Sequence, residues 1–152
     1  MDENTIEKQK YIFGSIFLLS NRLQTIGDRY LKDITTKQWF LMVVIGQFGS
    51  HEPTLSEVAK EMGTSRQNLK QIATKLQDKG FLRIRKDEND SRILRLNITE
   101  KSEKFWEGRM QQDIDFINNL FVGITPKELD EVYSGFNKIL NNVLRTGEEL
   151  ND

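Results

Sequence analysis

Gly80 divides the chain between two hydrophobic periods, and this division limits the available folds more than any other feature. Before it, apolar residues recur every three or four positions, the spacing of amphipathic helices. After it, Leu82 and Ile84 alternate with Arg83 and Arg85, and then Leu94, Leu96 and Ile98 alternate with Arg95 and Asn97, the period of two that marks strands. The polar, turn-forming run Lys86-Asp87-Glu88-Asn89-Asp90-Ser91 separates them, so the pattern predicts one β-hairpin with an extended polar tip. Helical spacing resumes after Ile98. The fold class is therefore mainly α with a small β-hairpin.

The helices announce their starts. Thr35-Thr36-Lys37-Gln38 and Thr54-Leu55-Ser56-Glu57 read as capping boxes, in which a threonine hydroxyl and a Gln or Glu three residues on satisfy each other's backbone amides. The first opens an apolar helix over Trp39 to Phe48. The second opens a short one, Ser56 to Met62, stopped by Gly63. Thr64-Ser65-Arg66-Gln67 starts a third helix that runs to Gly80, with Leu69, Ile72, Ala73 and Leu76 on one face. Ahead of these, Ile12, Ile16, Leu19, Leu23, Ile26 and Tyr30 form one face of a long helix, and Phe13 and Phe17 add a second apolar row. Past the hairpin, Thr99 caps a single helix carrying Phe105, Trp106, Met110, Ile114, Ile117 and Phe121. Thr125-Pro126-Lys127-Glu128 then opens a last one that ends at Gly147. The predicted order is four helices, two strands and two helices.

The short helix, glycine turn and longer helix between Thr54 and Gly80 have the outline of a helix-turn-helix, whose second helix enters the DNA major groove. Its exposed positions are Ser65, Arg66, Gln67, Asn68, Lys70, Gln71, Thr74 and Lys75. Arginine reads guanine through two hydrogen bonds, Asn and Gln read adenine, and Lys70 and Lys75 suit phosphates. A solvated polar face is the plainer reading, but amides and cations with no acid before Asp78 are an unusual surface for a helix with nothing to bind. On the hairpin, Lys86 and Arg92 offer further contacts. Arg92 suits a narrow minor groove, and Asp90 can hold it in place; an ordinary solvated turn remains the alternative.

Charge distribution agrees with that placement. Between Thr64 and Ile98 nine basic residues face four acids, a local excess of five, whereas the whole chain has a net charge of −1 and the remainder therefore carries −6.

Several stretches together resemble the MarR (multiple antibiotic resistance regulator) family of winged-helix regulators. They are Ile34-Thr35-Thr36-Lys37-Gln38-Trp39, Leu55-Ser56-Glu57-Val58-Ala59-Lys60-Glu61-Met62-Gly63, Leu76-Gln77-Asp78-Lys79-Gly80-Phe81-Leu82-Arg83, Asp90-Ser91-Arg92 and Ile98-Thr99-Glu100-Lys101. The resemblance implies a winged helix-turn-helix over 35–98, and a helical dimerisation region from 1–34 and 99–152. It implies a homodimer joined through the first and last two helices, a recognition helix starting near Ser65, and Asp90–Arg92 at the wing tip. It also implies a pseudo-palindromic double-stranded operator, usually repressed, and release by a small aromatic effector. Two departures are mild: Ser102 stands where the family has glycine, and Ile98 where it has leucine.

Other chemistries find little support. With no cysteine and only His51 as histidine, thiolate and multi-histidine metal sites within one chain are excluded, as is peroxide sensing through a thiol. No phosphate loop, catalytic triad or paired-carboxylate motif appears, so neither enzymatic activity nor a cofactor is expected. His51, in a loop, reads as a surface residue. Tyr11, Phe13, Phe17, Trp39, Phe40, Trp106 and Phe116 could line an effector pocket, but at helical spacing aromatics like these more often serve a core or a dimer interface. The longest apolar run, Phe40 to Ile45, is too short to span a bilayer, and the acidic start does not resemble a secretory signal. A cytoplasmic protein without membrane contact is expected. The competing function is a protein-only interaction module or antirepressor that keeps the fold without DNA contacts.

Overall fold

Three of the helix starts close as their sequences dictate. Thr35, Thr54 and Thr125 accept from the amides of Gln38, Glu57 and Glu128, and each of those side chains returns a bond to the threonine N–H at 2.7–3.0 Å. The computed structural model describes residues 2–150. Among them lie seven helices and one antiparallel hairpin: α1 (Glu3–Leu31), α2 (Thr36–Gln47), α3 (Leu55–Glu61), α4 (Arg66–Asp78), β1 (Leu82–Lys86), β2 (Leu94–Ile98), α5 (Glu100–Glu107), α6 (Met110–Leu120) and α7 (Pro126–Glu149). They fall into two compact units, one ending at Gly108 and one beginning at Arg109.

In the first unit, Leu41, Leu55, Val58, Leu69, Leu76, Leu82 and Leu96 are fully buried, and Leu31 and Ile34 join them from the end of α1 and the following turn. This core holds α2, α3, α4 and the hairpin together. α4 stops at Asp78 because Gly80 takes a left-handed φ of 78°, with its N–H bonded to Gln77 O and the Phe81 N–H to Leu76 O. Gly63 ends α3 the same way at φ 59°, with Thr64 N–H on Ala59 O. The hairpin pairs Leu82 with Ile98, Ile84 with Leu96 and Lys86 with Leu94. The α2–α3 connection lies along the other edge of β2, through the Thr54–Arg95 bridge and Leu96 N–H on Pro53 O at 2.9 Å. α1 meets α2 closely at Gly27, where a Cβ would collide with the Thr36 hydroxyl, itself bonded to Gln24 O.

Four sequence expectations need correction. The single helix expected after Thr99 is two, because Gly108 and Arg109 interrupt it; Arg109 leaves helical geometry at φ −126° and ψ 1°. Thr99 precedes α5 but does not cap it: its hydroxyl donates to Gly80 O at 2.7 Å instead. α7 continues through Gly147 to Glu149. Ser102, expected to matter only as a helix start, is fully buried, and its hydroxyl donates to Phe81 O.

In the second unit, no residue of α6 or α7 is buried, and Ile114, Ile117, Val132, Phe136, Leu140 and Val143 stand exposed at helical spacing. α1 likewise exposes Tyr11, Phe13, Phe17 and Leu19. Among the described residues no helix is long and apolar enough to cross a membrane.

Candidate nucleic-acid interface

α4 and the wing tip belong to one compact unit, so the same core positions both. Buried Leu69, Ala73 and Leu76 fix the inner face of α4. As a result Ser65, Arg66, Gln67, Asn68, Lys70, Gln71, Thr74 and Lys75 all stand exposed on the outer one. The Ser65 hydroxyl caps the helix by accepting Asn68 N–H at 3.1 Å, and the Asn68 amide donates to Thr64 Oγ1 at 2.8 Å. Ser65 and Asn68 therefore have their geometry set by the cap, whereas Gln67 and Gln71 lie on the same exposed face.

On the wing, Lys86 is exposed and Asp90 is half-buried. Asp90 grips the Arg92 guanidinium through Nε at 3.0 Å and Nη2 at 2.8 Å, and accepts the Arg92 N–H at 2.9 Å. These bonds, the guanidinium's first and the amide's second, hold the Asp90 carboxyl below its usual range. The Arg92 side chain is nevertheless 89% exposed, so it is aimed without being covered. The carbonyl of Arg92 accepts from Arg66 Nη2 at 3.4 Å, a link between α4 and the wing that sequence spacing does not reveal.

Besides Arg66 and Arg92, three more of the nine cations counted in this stretch have partners inside the fold. Arg85 pairs with Glu52, Arg95 pairs with Asp87 and donates to Glu52 O at 2.7 Å, and Lys79 donates to Asp33 O and the buried Gln38 side chain. Asp87 is held low by Arg95 first, then by the N–H groups of Asn89 and Asp90. Glu52 is held low by the Asn97 amide and then by Arg85. The outward-facing positive charge is thus narrower than the count suggested: Arg66, Lys70, Lys75, Arg83, Lys86 and Arg92. Neither Glu52 nor Gln77, whose Oε1 accepts the Ile84 N–H at 2.8 Å, carried a signal, because each acts across more than six residues on a partner set by the fold.

A cleft of about 580 Å³ lies beneath the start of α4, lined by Leu23 of α1, Trp39 and Phe40 of α2, Met62, and Asn68 and Ile72 of α4. Lys37 stands at it too. Of the aromatics flagged from sequence, Trp39 and Phe40 face this cleft. Trp106 packs edge-on against Trp39 at 6.2 Å, Phe116 is half-buried on α6, and Tyr11, Phe13 and Phe17 lie exposed on α1. His51 is exposed, 3.3 Å from Glu57. Among the described residues no three His, Asp or Glu side chains gather as a metal site would require.

A MarR family model matches residues 32–93. The transcriptional repressor MprA of Escherichia coli is 25% identical over 126 residues, covering 83% of this chain and 70% of MprA. Among solved structures, the S. aureus MepR–DNA complex superposes with a TM-score of 0.74 at 18% identity, covering 88% of this chain and 96% of MepR. The organohalide-sensing regulator RdhR in its 2,4-dichlorophenol-bound form reaches 0.79 at 18% identity, covering 95% and 86%. At such identities the structural likenesses establish the winged-helix fold.

Proposed function

Since the chain belongs to the MarR family, whose members are transcription regulators and not enzymes, we propose that it represses transcription by binding a pseudo-palindromic operator as a homodimer. It is a DNA-binding regulator of the winged-helix class. α4 would lie in the major groove with Gln67, Asn68 and Gln71 at base edges, Lys70, Lys75 and Lys86 at phosphates, and Arg92 in the flanking minor groove. The observation that carries this reading is the Asp90 clamp, which holds an exposed arginine at the wing tip on the same compact unit as the polar face of α4. MprA, a relative, is named a repressor, and MepR was solved on DNA.

Homodimerisation is supported by the apolar stripes that α1, α6 and α7 leave in water, a cost that a second copy would remove. The cleft under α4 suits a small aromatic effector. It offers Trp39 and Phe40 for stacking, and it reaches Asn68 on the proposed reading helix, so an occupant would disturb that helix. RdhR, of the same fold, is described with a chlorophenol bound.

Selection of binding sites from a random duplex library tests the proposal. The purified chain should enrich an inverted repeat whose half-sites lie about one helical turn apart. Failure to enrich any duplex would favour a protein-only module instead.

A further inference from the structure

The polar groups of the wing tip are largely consumed within it. Asp87 accepts from the N–H groups of Asn89 and Asp90 at 2.9 and 3.1 Å and from the Arg95 guanidinium. The Asp87 N–H closes onto Ile93 O and the Ile93 N–H onto Asp90 O, both at 2.9 Å. Asp90 holds Arg92. The Arg92 carbonyl instead accepts from Arg66, at the first position of α4 and 26 residues away in sequence. Arg66 is therefore placed where it joins the two elements that meet DNA.

We infer that Arg66 is a positioning residue, docking the wing tip onto the recognition helix and so fixing the span between the bases read by α4 and the groove entered by Arg92. This rests on the DNA-binding reading above and replaces the expectation that Arg66 reads guanine. In the free protein the bond is exposed and adds little to stability. On DNA it spares the tip the loss of freedom that ordering would otherwise cost, so its benefit is realised through Arg92. Two residues that act through one another give less than additive losses, whereas independent ones multiply to within about twofold.

The test uses the duplex enriched from a random library by the wild-type chain, with Arg66→Ala, Arg92→Ala, the double variant and Gln67→Ala as control. Arg92→Ala should weaken binding of wild type about tenfold, but no more than about threefold once Arg66 is alanine. Losses from Gln67→Ala and Arg92→Ala should simply multiply. Reselection with Arg66→Ala should keep the major-groove consensus and flatten the preference at the base pairs flanking it. Multiplying losses for Arg66 and Arg92, or a lost guanine preference inside the major-groove half-site, would overturn the inference and leave the DNA-binding reading intact. A wild-type chain that enriches nothing would defeat both.

Discussion

The buried Ser102 hydroxyl donates to the carbonyl oxygen of Phe81, joining the first turn of α5 to the residue that leads into the wing. The Phe81 carbonyl has a second, longer partner in the Thr99 N–H at 3.4 Å, so removing the hydroxyl weakens its satisfaction without abolishing it. Ser102→Ala should destabilise the first unit by about 1 kcal/mol, read as a lower urea midpoint at unchanged slope. Ser102→Gly should cost about 0.5–1 kcal/mol more through helix propensity. Equal stability of Ser102→Ala and wild type would show that the bond carries nothing.

DNA affinity should fall steeply with salt, by a slope of about −0.9 in log–log form for each phosphate neutralised. Lys70→Ala and Lys75→Ala should each reduce that slope by about one and weaken binding to all sequences alike. Gln67→Ala should instead change preference at one position per half-site, by about 1–3 kcal/mol. Fluorescence anisotropy across a salt series separates the two behaviours, and a flat series would remove the phosphate contacts.

The wing should loosen in acid. The Asp87 carboxyl is held below its ordinary value in the folded chain, chiefly by Arg95, so its contribution is complete above the ordinary aspartate range. That contribution is lost as pH falls through this range towards the lowered folded value. Amide exchange at Asn89 and Asp90, whose N–H groups bond to Asp87, should quicken there relative to the core of α4. Asp87→Asn should show the faster exchange already at neutral pH.

The proposed homodimer should come apart when charge enters its apolar stripes. Phe13 and Val143 are 66% and 61% exposed, so glutamate at either place disturbs no buried neighbour within the chain. Sedimentation should show a dimer for wild type and a shift towards monomer for Phe13→Glu and Val143→Glu, with helical content unchanged. A monomeric wild type at micromolar concentration would refute the dimer.

What the residues determined by themselves was local. Capping boxes at Thr35, Thr54 and Thr125, left-handed glycines at positions 63 and 80, and the change of period around the hairpin all act within a few residues, and each is found where spacing put it. The Asp90–Arg92 pair, two residues apart, was legible for the same reason. Interactions between distant segments were not. Thr99 has capping chemistry yet bonds to Gly80 O, because the turn after α4 lies beside it; Ser102 is buried because Phe81 is its neighbour in space. Nor does a count of cations show which ones the fold uses internally. Glu52, 33 residues from Arg85, pairs with it at the base of the wing, and Arg66 reaches Arg92 across 26. Sequence pattern records which faces are apolar and where helices begin; only packing brings remote polar groups within hydrogen-bonding distance, and that decided how the helix and the wing are held together.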